Sequence, residues 1–154
     1  MKSAVIVAMA VALTACSMQT VPLANRQADA AGKKFWNPMP GMTAVYIYRG
    51  PDAAPPPVLS LTAGDKQLGW LSRSTWLRAD IAPGQYDLRC IVGKELAGST
   101  NLELRPSTII FLQAATEAGS NACTLREVPA NIGRDSVVAS YETEPPFRYP
   151  PSRQ

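Results

Sequence analysis

Alternation of apolar and polar residues is the feature that most restricts how this chain can fold. From residue 43 onward, about eight short strand-like segments are separated by turn residues, and most of them alternate with a period of two. The clearest is 86–92 (YDLRCIV), in which Tyr86, Leu88, Cys90 and Val92 share one face. The chain's 14 prolines and 10 glycines leave little room for long helices. We therefore expect an all-β, antiparallel β-sandwich of about seven or eight strands.

The first of these segments, 43–49 (TAVYIYR), is apolar on both faces, which indicates a strand in the middle of a sheet. The other predicted strands are 58–62, 67–71, 74–81, 86–92, 98–104, 108–116 and 122–128. A type II turn is predicted at 82–85, with Pro83 and Gly84 at its two central positions. Residues 129–140 break the alternation and allow a short C-terminal helix, although Gly133 weakens it.

The first sixteen residues indicate where the protein is located. Lys2 precedes an uncharged run at 4–13, which is too short to cross a bilayer and fits the apolar core of a signal peptide. The sequence LTAC at 13–16 resembles the bacterial lipobox. That resemblance implies cleavage of a signal peptide at 1–15 and acylation of Cys16, which would anchor the protein to a membrane. By resemblance to the sorting rule of enteric-type bacteria, Ser17 points to the outer membrane.

Between the anchor and the end of the chain, three parts are expected. Residues 16–42 form the acylated N-terminus and a flexible tether, residues 43–140 form the β-sandwich domain, and residues 141–154 form a proline-rich tail. The tail is either an unstructured end or an extended ligand strip. In the second case Phe147 and Tyr149 would be its anchors, and Arg148 and Arg153 would supply charge.

Once Cys16 is committed to lipid, Cys90 and Cys123 remain as a pair. A structural disulfide suits the oxidising periplasm and would close a loop of 34 residues (123 − 90 + 1), which stabilises by about 3.8 kcal/mol in the chain-entropy description. Two free buried thiols are a second interpretation. A redox-active pair is a third, and it usually needs closer CxxC spacing.

Composition argues against several kinds of chemistry. The chain has no histidine, which excludes Ser-His-Asp and Cys-His catalysis and histidine-ligated metals, and we expect no metal site and no cofactor. The formal charge is only +3, without a basic block, so no nucleic-acid partner is expected. The carboxylates form no cluster, and we expect no enzyme activity. Five aromatic residues would be either core or a glycan-binding face: Trp36, Tyr46, Tyr48, Trp70 and Trp76.

Four motifs occur in a characteristic order: AVYIYR at 44–49, GDKQLG at 64–69, IAPGQYDL at 81–88, and the pair of segments around Leu104 and Phe111. In this order they resemble a bacterial lipoprotein family of unknown function (domain of unknown function 2846), which is related to PEGA-like small β-sandwiches. The order Gly64-Asp65 is the reverse of the family's usual Asp-Gly, and Tyr86 stands where histidine is common. The resemblance implies fold and envelope location, and it brings no catalytic residue.

These observations lead to one functional hypothesis with two alternatives. We expect a non-enzymatic outer-membrane lipoprotein, anchored at Cys16 and facing the periplasm, that binds or scaffolds another envelope protein. The candidate contact surfaces are the edge strands, the triproline loop at 55–57 and the C-terminal tail. The alternatives are an accessory lipoprotein of a secretion system with a transthyretin-like sandwich, and a module that binds peptidoglycan or another carbohydrate.

Overall fold

A computed structural model describes residues 21–54 and 58–145 of the chain. Its strands are β1 (Thr43–Arg49), β2 (Leu59–Ala63), β3 (Lys66–Leu71), β4 (Thr75–Ile81), β5 (Gly84–Val92), β6 (Glu95–Leu104), β7 (Ile109–Thr116), β8 (Cys123–Val128) and β9 (Tyr141–Glu142). The helices are α1 (Arg26–Gly32) and α2 (Ala130–Val138). Each of the eight predicted strands is present with its ends shifted by at most three residues, and the predicted C-terminal helix is α2.

The nine strands form two sheets. The order is β8-β7-β1-β4-β9 in the five-stranded sheet and β3-β2-β5-β6 in the four-stranded sheet. The four-stranded sheet is antiparallel throughout, whereas β1 pairs in parallel with β7, and β4 with β9, in the five-stranded sheet. Parallel neighbours need a crossover connection. Here β2–β6 lie between β1 and β7 in the chain, and β5–β8 and α2 lie between β4 and β9. The predicted all-β sandwich is confirmed, with these two parallel pairs added.

The main core lies between the two sheets. Val45 and Ile47 of β1 lie in it together with Leu88 and Cys90 of β5, and the alternation of the sequence had placed each of these pairs on one face of its strand. Each of these four side chains is at most 1% exposed. Full burial of one aliphatic side chain stabilises the fold by about 1.5–3 kcal/mol, so this core is the main source of stability.

A second core covers the opposite face of the five-stranded sheet. Tyr46 packs there with Trp76 and Phe111, and Val137 of α2 lies over them. The two helices approach this face closely because each has a glycine at the contact. A Cβ at Gly32 would overlap the Trp76 ring, and a Cβ at Gly133 would overlap Phe111. The apolar character of both faces of β1, which predicted a central strand, is explained by these two cores.

The disulfide joins the sheets. Cys90 of β5 and Cys123 of β8 are bonded, with their Cα atoms 6.2 Å apart, so the predicted structural disulfide is confirmed. The two strands belong to different sheets. Beside them, Gly98 of β6 lies so near the carbonyl oxygen of Cys123 that any Cβ would overlap it. Glycine at this position therefore allows β6 to approach β8.

The predicted tether is wrong for residues 21–42. Val21 is buried, Leu23 forms an antiparallel bridge with Thr143, and α1 begins behind Asn25, whose side chain accepts a hydrogen bond from the Ala28 N–H at 2.9 Å. The sequence of α1, RQADAAG, has no large apolar side chain, so no periodic signal marked it. Residues 16–20 lie outside the described part of the chain.

Two further differences concern a turn and the tail. Gly84 has a φ of +146°, whereas a type II turn needs about +80° at that position, and Gly84 pairs with Leu104 as the first residue of β5. The predicted turn is therefore wrong, because the chain enters the second sheet directly there. The tail starts as β9, and the Glu144 N–H donates to the Pro22 carbonyl at 2.8 Å. Residues 146–154, with the proposed ligand strip, lie outside the described residues.

Candidate functional site

Four aromatic rings cluster beneath the helices on the five-stranded sheet. The Tyr46 ring centroid lies 5.2 Å from that of Phe111, 5.4 Å from that of Phe35 and 5.7 Å from that of Trp76. Tyr46, Phe111 and Trp76 are at most 1% exposed, and Tyr48 is 3% exposed. These rings are core residues and present no open face on which a sugar could stack. The core interpretation is thus confirmed for Tyr46, Tyr48 and Trp76.

Arg78 holds the segment after α1 against the same face. Its guanidinium contacts both carboxylate oxygens of Asp80, at 2.9 and 3.2 Å, in a bidentate ion pair. It also donates to the Tyr46 hydroxyl and to the Trp36 carbonyl, each at 3.1 Å. Burial raises the pKa of Tyr46, and the nearby Arg78 partly offsets that effect. The two charged residues therefore serve to fix the fold of this segment.

Asp29 connects α1 to two strands. Its Oδ1 accepts from the Trp76 indole N–H at 3.1 Å and from the Glu142 backbone N–H at 2.8 Å, and its Oδ2 accepts from Lys33 Nζ at 2.7 Å. The carboxyl of Glu142 lies beside it, and its Oε2 has no hydrogen-bond partner among the described residues. Burial, and next the charge of Asp29, raise the pKa of Glu142 to about 7.

A raised pKa beside a second carboxylate is also typical of acid–base sites. Here, however, both oxygens of Asp29 are already engaged by partners from the C-cap of α1 (Lys33), from β4 and from β9. The pair is thus part of the contact that fixes α1 on the sheet. In the sequence the two carboxylates are more than a hundred residues apart, and the spacing gave no sign that they meet.

Arg49 is a buried charged residue that sequence reasoning treated only as a strand end. It is 1% exposed, and its guanidinium donates to the Thr116 hydroxyl at 3.2 Å and to the Ala54 carbonyl. Burial lowers its pKa, and Arg73 lowers it further. Arg49 thus ties residues 50–54 to the end of β7. Because Arg49 is the last residue of a strand that is apolar on both faces, its burial could have been inferred from the sequence.

A groove with a volume of about 320 Å³ lies on the outer face of the four-stranded sheet. We call it the sheet groove, and its lining is Val21, Pro22, Val58, Ser60, Trp70, Ile91 and Gly93. None of these seven side chains is charged. Trp70 pairs across the strands with Ser60, and Ser60 pairs with Ile91, so the three form one row. The row continues to Leu96 of β6, which is 61% exposed.

The hydroxyl of Ser60, which lines the groove, is hydrogen-bonded to Gln67. Gln67 donates from Nε2 to the Ser60 hydroxyl and to the Gly69 carbonyl, each at 3.0 Å. Trp70 is 38% exposed, so part of its indole faces solvent. An uncharged concavity with an exposed indole can accept apolar or amphipathic groups. Sequence reasoning named Trp70 but did not place it in a groove, because Val21 and Pro22 reach the groove from a distant part of the chain.

The remaining predicted features lie as follows. Cys16 is outside the described residues, as are the tail residues Phe147 and Tyr149. Trp36 is 60% exposed, and its ring lies 5.6 Å from Lys34 Nζ. Within residues 21–54 and 58–145, no helix is long and apolar enough to span a bilayer, and no three acidic or cysteine side chains are grouped as a metal site would need.

The chain matches no family model, no curated protein sequence and no solved structure. Its resemblance to the envelope lipoprotein family therefore stays a prediction.

Proposed function

We propose that this chain is a non-enzymatic lipoprotein of the outer membrane, whose β-sandwich faces the periplasm and acts by binding or scaffolding in the envelope. The observation that carries the proposal is the sequence LTAC at 13–16, which follows Lys2 and the uncharged run at 4–13. The disulfide between Cys90 and Cys123 adds support, since such bonds persist in oxidising compartments.

The charged residues of the described part also support a binding role. Asp29, Arg78 and Asp80 are engaged in fixing the N-terminal segment on the five-stranded sheet. The sheet groove, in contrast, is open and uncharged. An open, uncharged groove of this kind suits the binding of a partner better than acid–base catalysis.

The anchor is tested by expressing the full chain in a Gram-negative host and measuring its intact mass. We expect loss of residues 1–15 and addition of acyl groups at Cys16, together with flotation in the outer-membrane fraction. Cys16→Ser should remain unprocessed, because only the thiol receives the lipid.

The matched control is the double variant Cys90→Ala/Cys123→Ala. It removes the other two thiols and should still be acylated and processed. A processed chain whose mass shows no acyl group would contradict the proposal, and so would a full-length chain found in the cytosol.

The binding role is tested by crosslinking intact envelopes and capturing the acylated protein. A specific envelope protein in stoichiometric amount supports the proposal. Recovery of secretion-machine subunits favours the accessory-lipoprotein alternative, and retention on peptidoglycan that soluble sugar competes away favours the carbohydrate-binding alternative. Turnover of an envelope substrate by the purified protein would contradict a non-enzymatic role.

A further inference from the structure

We infer that the sheet groove and the adjoining Leu96 form a lipid-contacting face, which lies against the headgroup region of the membrane. The inference rests on the proposed anchoring at Cys16. It adds an orientation to that proposal: the four-stranded sheet faces the bilayer, and the helix-covered side of the five-stranded sheet faces away from it.

The chain between the proposed anchor and the described part of the fold is short. The described part of the chain begins at Val21, five residues after Cys16 (21 − 16). Five residues span at most about 18 Å, whereas a domain of this size is about 35 Å across. Such a connection is too short to let the domain turn any of its faces toward the membrane. The face at which the connection starts therefore lies nearest to the lipid.

That connection reaches the fold beside the sheet groove. Residues 22–24 run along β9, with the Glu144 N–H donating to the Pro22 carbonyl and the Ala24 N–H donating to the Glu142 carbonyl. From there the chain reaches the other sheet, because Val21 and Pro22 line the groove together with Trp70 and Ile91. An acyl chain on Cys16 would thus be held within about 18 Å of the groove.

The surface at the groove has the chemistry of a membrane-contacting face. Trp70 is 38% exposed and Leu96 is 61% exposed, and Ile91 lies between them in the cross-strand row. Tryptophan is enriched at membrane interfaces, where its ring contacts acyl chains and its N–H stays near the headgroups. Lys94, in the turn after Gly93, places a cation next to the groove, where it can contact anionic headgroups.

Tryptophan fluorescence in vesicles tests this orientation. The acylated protein is reconstituted into phosphatidylethanolamine and phosphatidylglycerol vesicles that contain lipids brominated near the headgroup end of the acyl chain. Brominated lipid quenches an indole that it touches. Trp76 is fully buried and serves as a constant background. We expect quenching to persist in Trp36→Phe, which removes an exposed indole on the opposite side, and to be lost in Trp70→Phe.

A second variant protects the test against a folding defect. Leu96 is exposed, so Leu96→Glu leaves the cores unchanged. It should weaken the quenching of Trp70, since it brings a negative charge to the anionic surface. The protein should still float with the vesicles, because the acyl chains hold it.

The outcomes separate the orientation from the anchor. A chain that lacks acyl groups by mass overturns both. An acylated chain that floats with the vesicles, but whose Trp70 is quenched by aqueous acrylamide and not by brominated lipid, overturns the orientation alone. If neither quencher reaches Trp70, the groove is filled by protein, and the orientation is again overturned. Deletion of 146–154 then shows whether the tail fills it, and dilution shows whether a second copy does.

Discussion

At the scale of single residues, the carboxyl of Glu142 is held at a pKa of about 7, against an ordinary value of 4.5. Burial disfavours its charged form, and the negative charge of Asp29 adds to that effect. Lys33 and Arg78 act in the opposite direction and do not compensate. Because Asp29 also anchors α1, the ionisation of Glu142 acts on the contact between α1 and the sheet.

This residue predicts a pH dependence of stability. Between pH 4.5 and about 7 the folded protein holds a proton that the unfolded chain has released, so the free energy of unfolding falls as pH rises through that window and levels off above it. Glu142→Gln removes the titrating group, and we expect a higher unfolding temperature than wild type at pH 8 and a similar one at pH 4. Thermal unfolding followed by circular dichroism at several pH values measures this.

The exposed carboxyl of Glu127 on β8 provides the matched control. Glu127→Gln should keep the pH profile of the wild type. If Glu142→Gln also kept that profile, burial of the Glu142 carboxyl would not be the cause of the pH dependence.

At the scale of elements, neither helix is stable by itself. α1 has seven residues and none of them is buried, and α2 has nine residues and no side-chain cap at its N-terminus. Isolated helices shorter than about 12–15 residues are marginal in water. Both helices are therefore held by contact with the five-stranded sheet. For α2 the main contacts are Val137, which is fully buried, and Gly133, which lies against Phe111.

Gly133→Ala tests this contact, because helix propensity predicts a higher free energy of unfolding and packing predicts a lower one. Alanine in a helix interior is favoured over glycine by about 1 kcal/mol, whereas overpacking costs about 1–3 kcal/mol. The added Cβ overlaps Cβ and Cγ of Phe111, next to the Phe111 backbone, and we expect packing to decide. The free energy of unfolding in urea should fall by up to about 2 kcal/mol, which is the packing cost less the gain in helix propensity.

Asn131→Ala, at an exposed position of the same helix, is the control and should change stability by less than about 0.5 kcal/mol. A stabilised Gly133→Ala variant would mean that α2 can move away from Phe111 without loss.

At the scale of the whole molecule, a disulfide cross-links the two sheets, and apolar side chains fill the core between them. The disulfide connects β5 of the four-stranded sheet to β8 at the edge of the five-stranded sheet, across a sequence separation of 33. Both cysteines are buried. The bond stabilises the protein mainly by lowering the conformational entropy of the unfolded chain, whereas apolar packing stabilises the folded state.

Reduction of this bond should lower the free energy of unfolding by about 3.8 kcal/mol in the chain-entropy description. The measurement is chemical denaturation with and without a reductant. Non-reduced and reduced protein should also differ in intact mass by two hydrogens. Cys90→Ala/Cys123→Ala should unfold identically in both conditions, which shows that the reductant acts only through the bond. If the denaturation midpoint of the wild type were the same with and without reductant, the disulfide would not stabilise the fold.

Local spacing in the sequence was enough to predict β1 to β8 and the direction of their side chains. Side chains alternate across a strand, so the direction of Leu88 or Cys90 follows from local spacing alone. The same alternation placed Val45 and Tyr46 on opposite faces of β1, and both faces are buried. The disulfide was predicted from the pair of cysteines that remains once Cys16 is committed to lipid, and both Cys90 and Cys123 are buried in the fold.

Tertiary structure decided the rest. α1 has no apolar stripe and β9 has two residues, so neither gives a periodic signal, and both form because Trp76, Asp29 and the edge of β4 provide partners. The sheet groove also depends on long-range contacts, because Val21 reaches it only when the N-terminal segment packs along β9. Local periodicity specifies which way a strand faces. Which distant segments come together depends on contacts that form only when the chain is folded.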